Sequence, residues 1–175
     1  MKTGLVAFAL STAAFAVGVH LAVIDRLPSF IMSRTFNGLQ DAGLTWNTWT
    51  VAPRISPRTQ TIVRSSPDLA YAVCMLDLSH GPVHITAPMG PDYGSMSVFD
   101  DDTTNVYIID LQGTGTPVDV IVATQSQDVS GIAADISIVR LRSDRGLALI
   151  RRLAPDTELH ETAAALVSQA HCTNL

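Results

Sequence analysis

The sequence predicts a mainly β protein, an antiparallel β-sandwich-like ectodomain with an N-terminal transmembrane helix and a C-terminal helix. Three patterns lead there. Residues 4–24, GLVAFALSTAAFAVGVHLAVI, carry no formal charge over 21 residues, about the length a bilayer core requires. Residues 70–153 divide into about seven short β-rich runs split by Gly-, Pro-, Asp- and Ser-containing turns. Pro155 and Asp156 then lead into apolar residues at helical spacing.

The first segment, 1–26, reads as a signal anchor. Lys2 precedes the apolar run, and Asp25, Arg26 and Pro28 follow it. Ala14-Phe15-Ala16 has the small-x-small form of a cleavage site. The apolar run continues past it through Val17, Val19, Leu21, Val23 and Ile24, so cleavage after Ala16 would leave a greasy new end. An uncleaved anchor is therefore the favoured reading. Charge alone does not orient it, because Lys2 on one side faces Arg26 and Arg34 on the other. A short charged head before an apolar run is the usual order when the bulk of a chain is exported.

Residues 27–66 read as a juxtamembrane helix followed by a linker. Pro28 suits a first helical turn, and Phe30, Met32, Phe36 and Leu39 form a loose helical stripe. The stripe fits the membrane surface or the protein's own domain equally well. Trp46 and Trp49 likewise fit the headgroup level or a core. Pro53, Pro57 and Pro67, with Arg54, Arg58 and Arg64, predict an irregular connection.

Residues 67–175 read as the β-domain. AYAVCMLDL and the alternating VHITAP flank Ser79-His80-Gly81-Pro82, which predicts a hairpin. SMSVFD and NVYIID around Asp101–Thr104 predict a second one. VDVIVAT, ADISIVRLR and GLALIRRL complete the strands, with Asp144-Arg145-Gly146 as a tight turn between the last two. In the C-terminal helix, Leu159, Ala163, Leu166, Val167 and Ala170 share a face, and the helix is expected to run on to Cys172.

Composition excludes some functions. The chain has 175 residues, net charge −5 and only 15% charged residues. The lone lysine is Lys2, and residues beyond 24 carry ten arginines, 16 acids and net −6. That sign argues against nucleic acid, and a lysine-free ectodomain excludes Schiff-base chemistry. Cys74 and Cys172 stand 98 residues apart. In an exported domain they fit a disulfide, which we expect; two buried thiols are the alternative.

Chemical motifs are sparse. Asp100–Asn105 resembles a calcium loop at first sight, but its sixth residue is Asn105, not Gly, and its twelfth is Leu111, not Glu. His80 and His84 lack a fixed third ligand for zinc. No nucleophile elbow, P-loop or paired-cysteine motif occurs. No cofactor or metal site is expected. Asp77, His84, Tyr93, Ser95, Asp100, Tyr107 and Asp110 fall along the first four strands. They read either as the wet side of a half-buried sheet or as a shallow cleft. In the second case Asp77, His84, Tyr93 and Asp100 are the catalytic candidates.

Pro67-Asp68, Asp77-Leu78 leading to Gly81-Pro82, then Pro88, Tyr93, Ser95, Asp100 and Thr104-Asn105 follow in an order that resembles the bacterial domain of unknown function 1254 family. The Asp-Leu-x-x-Gly-Pro string is the most specific part. The whole chain is similar to that family's short, membrane-anchored branch. The resemblance implies a β-sandwich-like ectodomain in the bacterial envelope, anchored in the inner membrane with the bulk in the periplasm. It also implies a separate membrane partner, foremost a domain of unknown function 1214 protein, and it supplies no catalytic residues. The expected function is a binding or assembly module, or an accessory subunit of a membrane complex. The alternative is an envelope enzyme or enzyme subunit acting on carbohydrate or lipid.

Overall fold

The computed structural model describes residues 2–59, 65–132 and 136–175. Arg64 of the expected linker, and Ala134 and Asp135 at the start of the ADISIVRLR run, lie outside the described residues.

The chain begins with α1 (Lys2–Asp41) and continues through β1 (Thr50–Val51), β2 (Leu69–Asp77), β3 (Val83–Ala87), β4 (Gly94–Asp100) and β5 (Asn105–Asp110). Then come β6 (Val118–Thr124), β7 (Ser137–Leu141), β8 (Arg145–Leu153), α2 (Thr157–Val167) and β9 (Cys172–Asn174). A five-stranded sheet has the order β1-β2-β8-β4-β5, and a four-stranded sheet the order β7-β6-β3-β9.

Period-two alternation makes both sheets one-sided. Ala72, Cys74, Leu76, Met96, Val98, Ala148 and Ile150 of the first sheet join one buried cluster with Val83, Ile85, Val120, Val122, Val139 and Leu141 of the second. The mainly β expectation therefore holds.

Three expectations about connectivity are corrected. The runs 70–78 and 83–88 do not form a hairpin: β2 pairs with β8, whereas β3 pairs with β6 and β9. Each strand buries one face in the shared cluster, so they meet across it rather than edge to edge. The connection between β7 and β8 likewise changes sheets, and Gly146 is a strand residue rather than a turn residue. A Cβ on Gly146 would lie 2.7 Å from the Phe99 carbonyl oxygen and 2.5 Å from Leu141 Cδ1, so only glycine allows this approach. Third, the sheets are not wholly antiparallel, because β6 and β7 run parallel. The connection 125–136 between them is long enough to return the chain in the same direction. The expected β4/β5 hairpin is present, with a register shift between Val98 and Phe99.

The two crossings support each other. Leu78 N–H donates to the Asp144 carbonyl at 2.8 Å, and the Gln127 side-chain amide donates to the Leu78 carbonyl at 2.6 Å. Leu78 is fully buried, where an unpaired backbone group would cost about 1–3 kcal/mol.

At the N-terminus, a break before Pro28 does not occur, and α1 runs through it as one helix of 40 residues. Proline removes one interior hydrogen bond, but the following turns are held by packing. Met32, Phe36 and Leu39 lie on one helical face and cluster with Met75, Trp46, Phe99 and Leu147. Phe36 and Trp46 rings stand 5.3 Å apart, and the Arg145 guanidinium lies 5.5 Å from the Trp46 ring centroid. The indole N–H of Trp49 donates to the His171 carbonyl at 2.9 Å. Both tryptophans thus pack on the domain. At the other end, Asp156 caps α2 by accepting from Leu159 N–H at 2.9 Å. The helix ends at Val167, and Cys172 belongs to β9 rather than to the helix, paired with Ile85.

Cys74 of β2 and Cys172 of β9 form the expected disulfide, tying the two sheets together through the core. It closes 98 residues of sequence, and loops of that length are stabilised by up to about 4–5 kcal/mol in the chain-entropy account. Replacing both cysteines by alanine should lower the unfolding free energy of the detergent-solubilised chain by about 2–5 kcal/mol, measured by urea denaturation.

Candidate functional site

The seven polar residues singled out in the sequence do not converge. Side-chain direction alternates along each strand, so Asp77 shares the outer face of its sheet with Met75, while Asp100 points inward with Val98 and Met96. His84 lies in the other sheet, between the inward-facing Val83 and Ile85. Tyr93 and Asp100 stand at opposite ends of β4, about 20 Å apart at strand rise.

Each candidate has a local partner. The Asp77 carboxylate accepts from Ser79 N–H at 2.9 Å, closing the turn after β2. That contact with Ser79 holds its pKa below the usual carboxylate value, against the opposing effect of burial. Its backbone is clamped by Asn47, whose side-chain oxygen accepts from Asp77 N–H at 2.9 Å and whose amide donates to the Asp77 carbonyl at 3.0 Å. Asn47 sits at φ 53°, a region asparagine tolerates better than most residues. His84 Nε2 lies 2.6 Å from Asp119 Oδ1 on neighbouring strands. Tyr93 is 44% exposed, with its hydroxyl 3.4 Å from Ser95 Oγ. Ser95 is buried and Asp110 exposed, its carboxylate accepting from Gln112 N–H at 2.8 Å. Tyr107 is half-buried against the shared core. Among the described residues, no group of three or more His, Cys, Asp or Glu is placed to hold a metal ion.

Asp100 is the main departure from a wet sheet face, because it is fully buried. Its Oδ2 accepts from Arg142 N–H at 2.9 Å and Nε–H at 3.3 Å. Its Oδ1 accepts from the Ser143 hydroxyl at 2.7 Å and Asp101 N–H at 3.0 Å. Arg142 also reaches Asp102 and Thr104. Burial would raise the Asp100 pKa, but these donors outweigh it and hold the carboxyl below its ordinary value. Burial and the two flanking carboxylates push Asp101 the other way. The acidic tip therefore works as an anchor joining the β4/β5 hairpin to the crossing after β7.

The residue that sequence patterns missed is Arg152. It is 3% exposed and lies at the opposite end of β4 and β8 from Asp100, paired with Gly94. Its sole hydrogen bond runs from Nη2 to the Pro88 carbonyl, and Nε is buried without a partner. Among the described residues no carboxylate forms an ion pair with it. Burial alone lowers its pKa. The guanidinium borders a small half-open cavity of about 30 Å³ between the Gly90–Tyr93 loop and α2. A strand arginine within GLALIRRL gives no periodic signal of this, since its inward direction depends on the register of β8.

Replacing Asp100 by asparagine would set an amide N–H₂ or a weaker acceptor against these donors. The expected loss is about 1.5–3 kcal/mol at pH 7. A carboxyl with a depressed folded pKa stabilises fully above its unfolded value of about 3.9, and the benefit fades as pH falls through the folded value. The stability difference between the native chain and Asp100→Asn should thus persist from pH 7 to 5 and shrink below about pH 4, as read from urea midpoints across that range.

Comparison with known proteins gives a family and a fold. No curated protein matches the sequence. The structure is similar to the crystal structure of the VPA0106 protein from Vibrio parahaemolyticus, with TM-score 0.65 and 16% identity, covering 85% of this chain and 35% of that one. An uncharacterised protein from Burkholderia cenocepacia matches with TM-score 0.43 and 16% identity, over 65% of this chain and 32% of that one. The chain thus spans about a third of the length of these solved proteins. At such identity the first likeness concerns the fold. Residues 46–174 match the family described as "Protein of unknown function (DUF1254)", so everything from Trp46 through the disulfide and β9 belongs to one recognised unit, and this chain is a member of that family.

Proposed function

We propose that the chain is a single-span, inner-membrane-anchored protein of the family's short branch. Its sandwich-like domain would lie in the periplasm and act as a binding or assembly module for a membrane complex. In this reading residues 1–26 form the anchor, 27–66 the juxtamembrane helix and linker, and 67–175 the β-domain. The observation that carries it is the division of α1. Thr3 to Leu27 are exposed throughout, including Leu5, Phe8, Phe15 and Leu21 at 60% or more, whereas Met32 and Phe36 are buried on the domain. An apolar helix of this length is suited to a membrane anchor or a signal sequence. Residues 4–24 span about 30 Å at helical rise, the thickness of a hydrocarbon core. The continuity of α1 favours retention, because cleavage after Ala16 would leave an exposed apolar stub rigidly joined to the packed turns. The disulfide is in keeping with an oxidising compartment.

An assembly role is supported by β5, the edge strand of its sheet, which exposes Ile108 at 64% and Val106 at 36%. Unpaired apolar edges are sites for a further chain. The partner we propose is another membrane protein, first a domain of unknown function 1214 protein. The enzyme alternative rests on Asp77, His84, Tyr93 and Asp100, which the fold distributes over two sheets and two ends.

Two outcomes test this. Mass analysis of the protein extracted from inner membranes should show residues 4–24 attached, and a start at Val17 would remove the anchor. A photo-crosslinking residue at position 108 should capture a specific membrane protein in gently solubilised membranes, while the same probe at Glu161 of α2 should not. Equal capture at both positions would count against an edge-mediated partner.

A further inference from the structure

Arg152 presents an unpaid electrostatic debt. A guanidinium stays charged at any ordinary pH, and burying a charge without a partner is strongly unfavourable. Here the charge is 97% buried, meets one neutral acceptor at Pro88, and leaves Nε without a partner. The surroundings keep this arrangement open. A Cβ on Gly90 would stand 2.9 Å from Arg152 Nη1 and 3.2 Å from Leu166 Cδ1, and one on Gly94 would stand 3.0 Å from Nη1. Two glycines thus leave room around the free edge of the fork. Beyond it lies the cavity, with Leu159, Ala163 and Leu166 of α2 on one side and Tyr93 on the other. Asp92 also borders the cavity but is exposed and makes no ion pair with the guanidinium.

We propose that this cavity is a binding site for an aliphatic monocarboxylate, with Arg152 as the anion anchor and α2 as the apolar wall. Size favours that class. A volume of about 30 Å³ holds about two water-sized groups, which matches the two oxygens of a carboxylate and is small for a tetrahedral phosphate. Chemistry agrees, since a guanidinium fork recognises a planar carboxylate while the leucine and alanine side chains of α2 suit a short hydrocarbon. The burial that lowers the Arg152 pKa is the same desolvation that a bound anion would relieve. The site lies about 15 Å along β8 from the Leu147 row that contacts α1, so it stands independently of the membrane-anchor reading.

The test uses the full chain in a nonionic detergent. Thermal melting is followed against acetate, butyrate and octanoate, with butyramide and chloride as controls at matched ionic strength. Butyrate should raise the Tm in a saturable way, and butyramide and chloride should not. A longer response to octanoate than to acetate would assign the apolar wall to the tail. Arg152→Met should abolish the dependence. Gly90→Ala keeps the charge but places a methyl group against Nη1, and should weaken the response at least tenfold; it decides the matter if Arg152→Met fails to fold. No saturable response, an equal response to chloride or butyramide, or an unchanged response in Gly90→Ala would each overturn the proposal.

Discussion

The domain depends on two sheets burying their inward faces in one shared cluster. The chain changes sheets between β2 and β3 and again between β7 and β8. Each change places consecutive strands across the core from one another instead of side by side. The two crossings are joined through Leu78, which is bonded to Asp144 and Gln127. The disulfide then crosses the core from β2 to β9. With these links in place, the inward residues of β4 and β8 are fixed in direction. That fixes Asp100 at one end of the core and Arg152 at the other.

These two buried charges show opposite solutions to one problem. Asp100 is surrounded by donors from its own hairpin and from Arg142 and Ser143, so its charge is compensated within the chain. Arg152 has one neutral acceptor and faces a cavity. The first arrangement stabilises the fold. The second leaves binding capacity for something outside it. A buried ion lacking a partner is costly in any protein, and the glycines beside Arg152 preserve the space in which a partner would sit.

The α1 helix links the domain to its proposed location. Its apolar stretch makes no contact with the β-domain, while the turns carrying Met32 and Phe36 are packed on Met75. The passage of the helix through Pro28 means that the exposed part and the docked part move as one rod. About two turns separate Ile24 from Met32, so an anchored domain would sit close to the bilayer surface.

Much of this was legible in the residues. The charge-free run, the β-rich runs, the β4/β5 hairpin, the Asp156 cap and the disulfide all rest on local signals of period, turn chemistry or cysteine count. Strand partners were less legible, because a run such as VHITAP reveals which face is buried but not which strand lies beside it. The short β1 and β9 carry no periodic pattern. The fate of the polar residues was hidden for the same reason: Asp77 and Asp100 look alike in sequence, and only pairing with β8 sends one outward and the other into the core. The sequence by itself determined the element types and the acidic, lysine-free domain behind an apolar helix, because those follow from local spacing and composition. Tertiary structure alone decided the sheet order, the unbroken α1 and the isolation of Arg152, because each depends on contacts between residues far apart in the chain.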